Sequence, residues 1–190
     1  MPFSGLDCIL PVYNVIHEKC PNWQTYLDIG SGTGQWGWVQ RTWFEFQDGN
    51  FDKKTWKRKI VGIEGFEAYR NPTWELYNYV AIGNAFDMLK EWPKGADPDP
   101  RNPFLPRYNL CTMIEVLEHF EKSQGIEMLK MLKDRCDHLI FSYTNSEQGA
   151  AFTNEFEVHR STWTNEDILA IFPNAVMFYP TGVGEFWYVG

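Results

Sequence analysis

Four glycines between residues 30 and 37 constrain the fold more than any other feature of the sequence. The segment YLDIGSGTGQWGW starts with a short apolar run that contains one acid, Asp28, and continues into a helical pattern. A glycine-rich turn between a buried strand and a helix lets a ligand approach the main chain, because glycine has no Cβ. The turn also presents amide N–H groups at the start of the helix. The segment therefore predicts a strand, a ligand-binding turn and a helix in succession.

Short apolar runs alternate with helical patterns along most of the chain. Strands are predicted at residues 25–29, 59–63, 77–82, 108–113 and 138–143. Helices are predicted at residues 34–46, 66–75, 86–91, 118–135 and 165–172. The segments AVMFYP, TGVGE and FWYVG predict a closing antiparallel hairpin. The predicted fold class is therefore α/β: a Rossmann-like, seven-stranded, mostly parallel sheet with a C-terminal antiparallel hairpin and helices on both faces.

The length of 190 residues fits one domain with a substantial core, so a single domain over residues 1–190 is expected. Residues 41–59 and 92–108 are interpreted as insertions between regular elements. Five prolines in the second insertion exclude a helix and a central strand, and such a loop is typical of a lid or a substrate wall. Residues 1–23 are expected to form an N-terminal segment over the ligand-binding site at the glycine-rich turn.

Composition limits the compartment and the partners. No apolar run approaches the length of a membrane span and no leader pattern is seen, which predicts a cytoplasmic protein without a membrane partner. The cysteines form no C-x-x-C pair and are expected to be buried free thiols. A formal charge of −8 opposes binding to a phosphate backbone. The basic residues between positions 53 and 59 are interpreted as a solvated surface, with a nucleic-acid patch as the alternative.

The glycines also fit a dinucleotide fingerprint, G-x-G-x-x-G, at Gly32, Gly34 and Gly37. Two acids oppose this interpretation. Asp28 would be an unfavourable neighbour for a pyrophosphate, and Glu64 follows Gly32 by 32 residues although the ribose-binding acid is expected after roughly twenty. A cofactor with a sulfonium and an ammonium but no phosphate suits Asp28, and its ribose diol suits Glu64. Gly37 is then interpreted as a helix position that allows close packing on the sheet.

Three segments resemble class I S-adenosylmethionine-dependent methyltransferases. YLDIGSGTG is similar to the glycine-rich first motif, IVGIEGF to the acidic second motif, and AIGNAFDML to the third-strand segment that meets the adenine. The resemblance runs from about residue 24 to the C terminus and implies S-adenosylmethionine as the cofactor. It implies Asp28 beside the methionine moiety, the backbone of the glycine turn as a cradle, Glu64 as the ribose acceptor and Phe66 beside the adenine. By position, the full implied set is Asp28, Gly30, Gly32, Gly34, Glu64, Phe66, Asn84, Ala85 and Ile114.

Two positions depart from the family pattern. Asn84 stands where the family often has aspartate, and its amide oxygen is expected to accept from the adenine amino group. Asn109, after Tyr108, replaces the aspartate of a common aromatic-aspartate pair at the start of strand four.

The segment TMIEVLEHF leads off the fourth strand at the edge where ligands of open α/β folds bind. Glu115, Glu118 and His119 are spaced i, i+3 and i+4, which places them on one face of an early-starting helix. Two carboxylates and an imidazole suit a divalent cation such as Mg²⁺ or another oxygen-preferring metal. His159, in FEVHRSTWT, is expected over the same edge as a further ligand.

The E-x-x-E-H pattern is similar to one in small-RNA 3′-terminal ribose 2′-O-methyltransferases and ubiquinone-pathway O-methyltransferases. By position, this resemblance implies Glu115, Glu118, His119 and His159 as ligands of a metal that activates a hydroxyl. LEH also follows strand four in metal-free methyltransferases, where the carboxylate caps a helix and the imidazole packs or acts as a base. Both interpretations stay open here. His119 and His159 are the catalytic candidates, with His119 the better placed base.

The sequence thus predicts an enzyme that transfers a methyl group from S-adenosylmethionine to an oxygen or nitrogen of a small molecule by in-line displacement, with His119 as base. A metal-dependent RNA 3′-terminal ribose 2′-O-methyltransferase is the alternative. EVLEH, His159 and the basic segment favour it, whereas the acidic net charge opposes it. A non-catalytic module that binds an adenosyl ligand is a further alternative, which the intact glycines and Glu64 oppose.

Overall fold

The computed structural model describes residues 4–92 and 104–190. Its strands are β1 Thr25–Ile29, β2 Lys59–Glu64, β3 Tyr79–Ile82, β4 Tyr108–Met113, β5 Cys136–Thr144, β6 Val176–Pro180 and β7 Gly184–Val189. They form one sheet of seven strands in the order β3-β2-β1-β4-β5-β7-β6. The first five strands run parallel, and β7 pairs antiparallel with β5 and β6. The predicted sheet and its closing hairpin are confirmed.

Helices cover both faces of this sheet. They are α1 Ile9–Lys19, α2 Gln35–Phe44, α3 Ala85–Glu91, α4 Lys122–Arg135 and α5 Asn165–Ile171. Successive strand residues point to opposite faces, so Leu27 and Ile29 join the core cluster of α4, whereas Tyr26 joins the cluster of α1 and α2. The alternation explains how short apolar strands bury both sides, as the predicted fold class requires.

The two predicted insertions differ in what the structure describes. Residues 93–103, most of the predicted lid, lie outside the described residues. Residues 41–59 contain two short 3₁₀-helices, Phe46–Asp48 and Lys53–Thr55. A buried pair anchors this segment: Arg41 Nη1 lies 3.3 Å from Glu45 Oε1, and the same oxygen accepts from the amide of Arg58 at 2.7 Å.

Two further expectations concern the cysteines and the membrane. The structure confirms buried free thiols at all four cysteines. Across the described ranges, no helix combines the length and the apolar character that crossing a bilayer requires.

Two predicted helices were wrong in extent. Residues 66–75 form two 3₁₀-helices, Glu67–Tyr69 and Pro72–Leu76, instead of one α-helix. Pro72 disfavours a helical backbone at Asn71, which is extended with φ −154° and ψ 175°. The helix expected over 118–135 starts only at Lys122, because Glu121 before it has a non-helical ψ of 145°.

Strand β3 starts at Tyr79 and not at residue 77, because Tyr77 turns into the core. The Tyr77 hydroxyl donates to Asp28 Oδ2 at 2.6 Å and accepts from the amide of Gly37 at 2.8 Å. A Cβ built on Gly37 would lie 2.0 Å from the Tyr77 ring. Gly37 therefore permits close packing, but its partner is Tyr77, which precedes β3, and not the sheet as expected.

Replacing Gly37 with alanine is expected to lower the free energy of unfolding by about 2 kcal/mol, since overpacking of a rigid buried ring outweighs the better helix propensity of alanine. Denaturant titration measures this change. Gly149→Ala is the matched control, because a Cβ at Gly149 would meet open space. Equal stability of the two variants would show that the Tyr77 ring can move aside.

Candidate active site

A cavity of about 310 Å³ opens at the carboxyl edge of the parallel strands, where ligands of open α/β sheets bind. It is lined by the ends of β1, β2 and β4, by the start of α3 and by residues 154–157 and 160. The predicted cofactor residues that line it are Gly30, Gly32, Glu64, Asn84, Ala85 and Ile114. Asp28, Gly34 and Phe66 do not line it.

The glycine turn exposes its main chain to this cavity. Gly30 has φ +72°, a conformation that side chains rarely adopt, and a Cβ there would lie 2.3 Å from Val116 Cγ2. A larger residue would therefore displace Val116, which itself lines the cavity. The backbone around Gly30 and Gly32 is thus accessible to a ligand only because glycine occupies these positions.

Glu64 holds the turn in place and faces the same cavity. Its Oε2 accepts from the amide of Gly32 at 2.7 Å, and its Oε1 accepts from the amide of Phe66 at 2.8 Å. The residue is only 6% exposed, and burial raises the pKa of Glu64 above its usual value. Each carboxylate oxygen retains a further lone pair, so the group can still accept from the two hydroxyls of a diol. Phe66 packs edge-on against Tyr69, with ring centroids 5.0 Å apart.

Asp28 lies beneath the turn and is fully buried. Its Oδ1 accepts from Thr112 Oγ1 at 2.8 Å, and its Oδ2 accepts from Tyr77. Asp28 was placed beside the methionine moiety by the resemblance, but the structure encloses it completely and it does not line the cavity, so a ligand in the cavity does not reach its carboxylate. Asp28 instead supports the turn through Tyr77 and Gly37. Sequence reasoning missed Tyr77 and Thr112, since neither belongs to a recognisable spacing.

Burial raises the pKa of Asp28 to about 6, although hydrogen bonds from Tyr77 and Thr112 oppose the shift. A carboxyl whose pKa is higher in the folded than in the unfolded state stabilises the fold at low pH, and this contribution is lost as the pH rises through about 6. Asp28→Asn should remove this pH-dependent contribution to stability. Between about pH 5 and about pH 7.5, wild-type stability should fall by about 1.4 kcal/mol more than that of the variant. Urea unfolding of both proteins at both pH values measures the difference, and parallel pH profiles would contradict the shift.

Asn84 is the N-cap of α3. Its Oδ1 accepts from the amides of Phe86 at 2.9 Å and Asp87 at 3.3 Å. The amide oxygen predicted to accept from an adenine amino group is therefore already bonded to the helix. Asn84 lines the cavity, and its side chain caps the start of α3.

The E-x-x-E-H residues do not share one helical face. Glu115 has φ +53°, outside the helical region, and Glu118 and His119 belong to a 3₁₀-helix, Leu117–His119. Candidate ligand atoms of Glu118, His119 and His159 lie within 4.8 Å of one another. Glu115 is not part of this group, and its carboxylate bonds to Ser4 instead. The structure thus brings together three of the four predicted metal ligands.

The three grouped side chains have unusual environments. Glu118 is fully buried, and burial raises its pKa to about 8. Its Oε1 accepts from the amide of Thr144 at 3.1 Å, while its Oε2 has no hydrogen-bond partner in the described structure. Burial and the neighbouring His159 lower the pKa of His119 to about 4. His119 is therefore neutral near pH 7, with its ring centroid 4.9 Å from that of His159.

The hydrogen bonds of the two imidazoles define which nitrogen is available. His119 Nδ1 lies 3.3 Å from the carbonyl oxygen of Val158, which can only accept, so Nδ1 carries the proton. His119 Nε2 is then the basic nitrogen. His159 Nδ1 bonds to the carbonyl of Ser146, and His159 does not line the cavity.

The charge of the described cavity wall is predominantly negative. Its carboxylates are Glu64, Glu115, Glu155 and Glu157. Among the described lining residues, Arg160 is the single lysine or arginine, and its guanidinium donates to the carbonyls of His119, Val158 and Glu155 at 2.8–3.1 Å. This wall suits a cationic or neutral ligand better than a pyrophosphate.

Comparison with protein-family models and with the sequences of curated proteins gives no match. Solved structures are similar over nearly the whole chain. A protein from Nostoc punctiforme assigned as an O-methyltransferase aligns at TM-score 0.59 and 15% identity, over 96% of this chain and 55% of its own. This chain thus spans about half the length of that protein.

Two domain structures are also similar. The N-terminal domain of EvdMO1 with S-adenosylhomocysteine (SAH) bound aligns at TM-score 0.61 and 12% identity, over 95% of this chain and 79% of its own. The methyltransferase domain of bacterial CtHen1 aligns at TM-score 0.55 and 15% identity, over 97% of this chain and 98% of its own. At these identities the similarity defines the architecture. The chain has the fold of class I S-adenosylmethionine-dependent methyltransferases.

Proposed function

We propose that the protein is an S-adenosylmethionine-dependent methyltransferase acting on an oxygen or nitrogen of a small molecule. One observation carries the proposal: the glycine turn and the Glu64 carboxylate, 32 residues apart in sequence, face one cavity and bond to each other. The fold of the similar structures supports the same function.

The residues present fit this cofactor. The main chain of Gly30 and Gly32 would hold it, Glu64 would accept from its ribose, and the acidic wall suits its sulfonium and ammonium charges. A dinucleotide fits less well, because the guanidinium of Arg160 is already bonded to three carbonyls. When bound, S-adenosylmethionine supplies a methyl group already activated for displacement.

The chain's own residues then have the tasks of orienting the acceptor, excluding water and removing a proton. His119 lines the cavity, and its neutral imidazole can accept a proton at Nε2, since Nδ1 already carries one. The same burial makes His119 a weak base, which favours acceptors whose proton is already acidic, such as phenols, over simple alcohols. His159 supports the position of the His119 ring.

Calorimetry with S-adenosylmethionine and with a nicotinamide dinucleotide tests the cofactor. We expect heat of binding with the first and none with the second. Absence of binding to S-adenosylmethionine would refute the proposed function, whereas binding of the dinucleotide alone would restore the fingerprint interpretation of the glycines.

A metal-assisted methyltransferase is the second candidate, favoured by the unpartnered Glu118 Oε2 beside two imidazoles. Two nitrogens and one oxygen suit a borderline divalent metal better than Mg²⁺, which prefers oxygen ligands. EDTA should then abolish turnover, and adding back Zn²⁺ or Mn²⁺ should restore it. Turnover that survives EDTA would exclude this candidate.

The structure offers little support for RNA as the acceptor. Lys59 starts β2, whereas Glu64 ends it at the cavity, so the basic segment lies at the opposite edge, roughly 16 Å away. Arg58 donates to the carbonyls of Trp23 and Phe44, and Lys53 pairs with Glu75. These bonds reduce the charge available to a phosphate backbone. We therefore favour a small acceptor, and we place the protein in the cytoplasm, where its four free thiols stay reduced.

A further inference from the structure

Residues 152–157, which we call the strap, reach over the cavity from the strand β5 that precedes them. Residues 154–157 line the cavity. Just beyond the strap, the amide of Arg160 donates to the carbonyl of Glu118 at 2.8 Å, which fixes this end beside the segment that follows β4. The strap itself contacts Gly65 and Tyr69, which follow β2. It therefore connects two separate parts of the sheet edge.

The sheet order shows what lies between these two attachments. Strand β1, with the glycine turn at its end, separates β4 from β2. Neighbouring strands lie about 4.8 Å apart, so the strap bridges roughly 10 Å across this turn. The strap, the glycine turn and Glu64 line the same cavity. A ligand held by the turn and by Glu64 is therefore covered by the strap.

The strap is fastened to the β2 side by one side chain. The Tyr69 hydroxyl donates to Glu157 Oε1 at 2.9 Å and accepts from Asn154 Nδ2 at 3.1 Å. Asn154 and Glu157 are both buried. The Phe156 ring packs on the backbone beside Glu64, since a Cβ built on Gly65 would lie 3.1 Å from it. We call the two hydrogen bonds of the Tyr69 hydroxyl the latch.

The start of the strap has a strained backbone. Phe152 has φ +53° and Thr153 has φ +61°, a region that residues with a Cβ rarely adopt and that is especially unfavourable for a β-branched residue. The Phe152 side chain is 66% exposed, so burial of its ring does not offset the strain. Strained residues of this kind occur at ligand clamps and switch regions. The strain favours opening of the strap, and the latch opposes it.

The size of the cavity also requires the strap to move. Ligand pockets range from roughly 300 to 1,000 Å³, so a cavity of about 310 Å³ is among the smallest. In a methyltransferase, the cofactor and the acceptor must both enter this space. An opened strap enlarges it from the side of residues 154–157.

We propose that the strap is a gate for the cofactor, an inference that rests on the proposed function. The latch is closed in the free protein and closes again over the bound cofactor. It opens for S-adenosylmethionine to enter and for SAH to leave. Because the latch is formed both before and after binding, its strength cancels in the binding equilibrium and remains in the barrier to entry and exit.

The test measures the rate constants of SAH binding by stopped-flow fluorescence, with Trp36 in the cavity wall as an intrinsic reporter. Tyr69→Phe removes the hydroxyl and keeps the ring that packs on Phe66. It should raise the association and dissociation rate constants about tenfold each, since a hydrogen bond to a charged group is lost, and leave the Kd within about twofold of wild type.

A second variant weakens the latch from the strap. Asn154→Ser removes the donor to Tyr69 and keeps a hydroxyl that can replace the Asn154 side chain as acceptor for the amide of Phe156. It should raise both rate constants about threefold, because the lost hydrogen bond is uncharged. Urea unfolding of each variant verifies that it is folded.

Tyr179→Phe is the matched control. The Tyr179 hydroxyl also donates to a carboxylate, Asp7 Oδ2, at 2.9 Å, but Tyr179 does not line the cavity. This variant should bind SAH with wild-type rate constants. Unchanged rate constants in Tyr69→Phe would overturn the gate, and so would a weaker Kd with an unchanged association rate constant, which would make Tyr69 a direct ligand contact. If the wild type does not bind SAH, the proposed function fails and the gate with it.

Discussion

Glu64→Ala is expected to weaken SAH binding by about 100-fold or more, because it removes two charge-assisted hydrogen bonds to a ribose diol. The carboxylate also accepts from the amides of Gly32 and Phe66, so its loss loosens the turn that holds the cofactor. Calorimetry with SAH measures the affinity. 5′-Methylthioadenosine has the same adenine and ribose but no amino-acid end, so it should lose affinity in parallel.

Glu67→Ala is the matched control for Glu64. Glu67 lies three residues further along the chain, in an exposed ion pair with Arg70, and does not line the cavity. The Glu67→Ala variant should bind SAH with wild-type affinity. SAH affinity within about threefold of wild type in Glu64→Ala would contradict the ribose-binding role, since even one such bond contributes more.

His119→Ala is expected to leave SAH binding nearly unchanged and to reduce turnover by about 100-fold or more, as expected for a positioned base. The imidazole lines the cavity, and its basic nitrogen is Nε2. Turnover is scored as SAH formed from S-adenosylmethionine with a library of small phenols and amines. His17→Ala is the control, because His17 lies on the exposed face of α1 and stacks on Tyr13.

Four outcomes of this experiment lead to different conclusions. A loss of turnover that EDTA reproduces in the wild type assigns His119 to the metal-assisted candidate. A loss without EDTA sensitivity assigns it to metal-free base catalysis. Wild-type turnover in His119→Ala would exclude both roles, and binding of SAH without methylation of any acceptor in the library would favour the non-catalytic module.

The sequence predicts well the parts of this fold that depend on local pattern. Apolar strands followed by turns identify β1, β2 and β4, and the strand-turn-strand pattern at the end of the chain identifies the hairpin. The cavity residues Gly30, Gly32 and Glu64 could also be predicted, because parallel strands bring their carboxyl ends to one edge. Each of these inferences needs only the spacing of apolar residues within a short segment and the order of such segments along the chain.

The parts that failed depend on where a helix starts and which way a side chain turns. The spacing of Glu115 and Glu118 suggested one helical face, but Glu115 adopts φ +53° and leaves the group. Asp28 was expected in the site, yet two hydroxyls from distant segments enclose it. Such tertiary contacts leave no mark on local spacing, so Tyr77 and Thr112 could not be found from the sequence.

The contact between Gly37 and Tyr77 links two positions that lie 40 residues apart. A side chain at position 37 and an aromatic ring at position 77 exclude each other, so substitutions at these positions should occur together among related chains. A relative with alanine at 37 should carry a smaller residue at 77, and it would then need another donor for the acid under the turn. Coordinated substitution at positions 37, 77 and 28 would thus be the evolutionary signature of the way Tyr77 and Asp28 support the glycine turn.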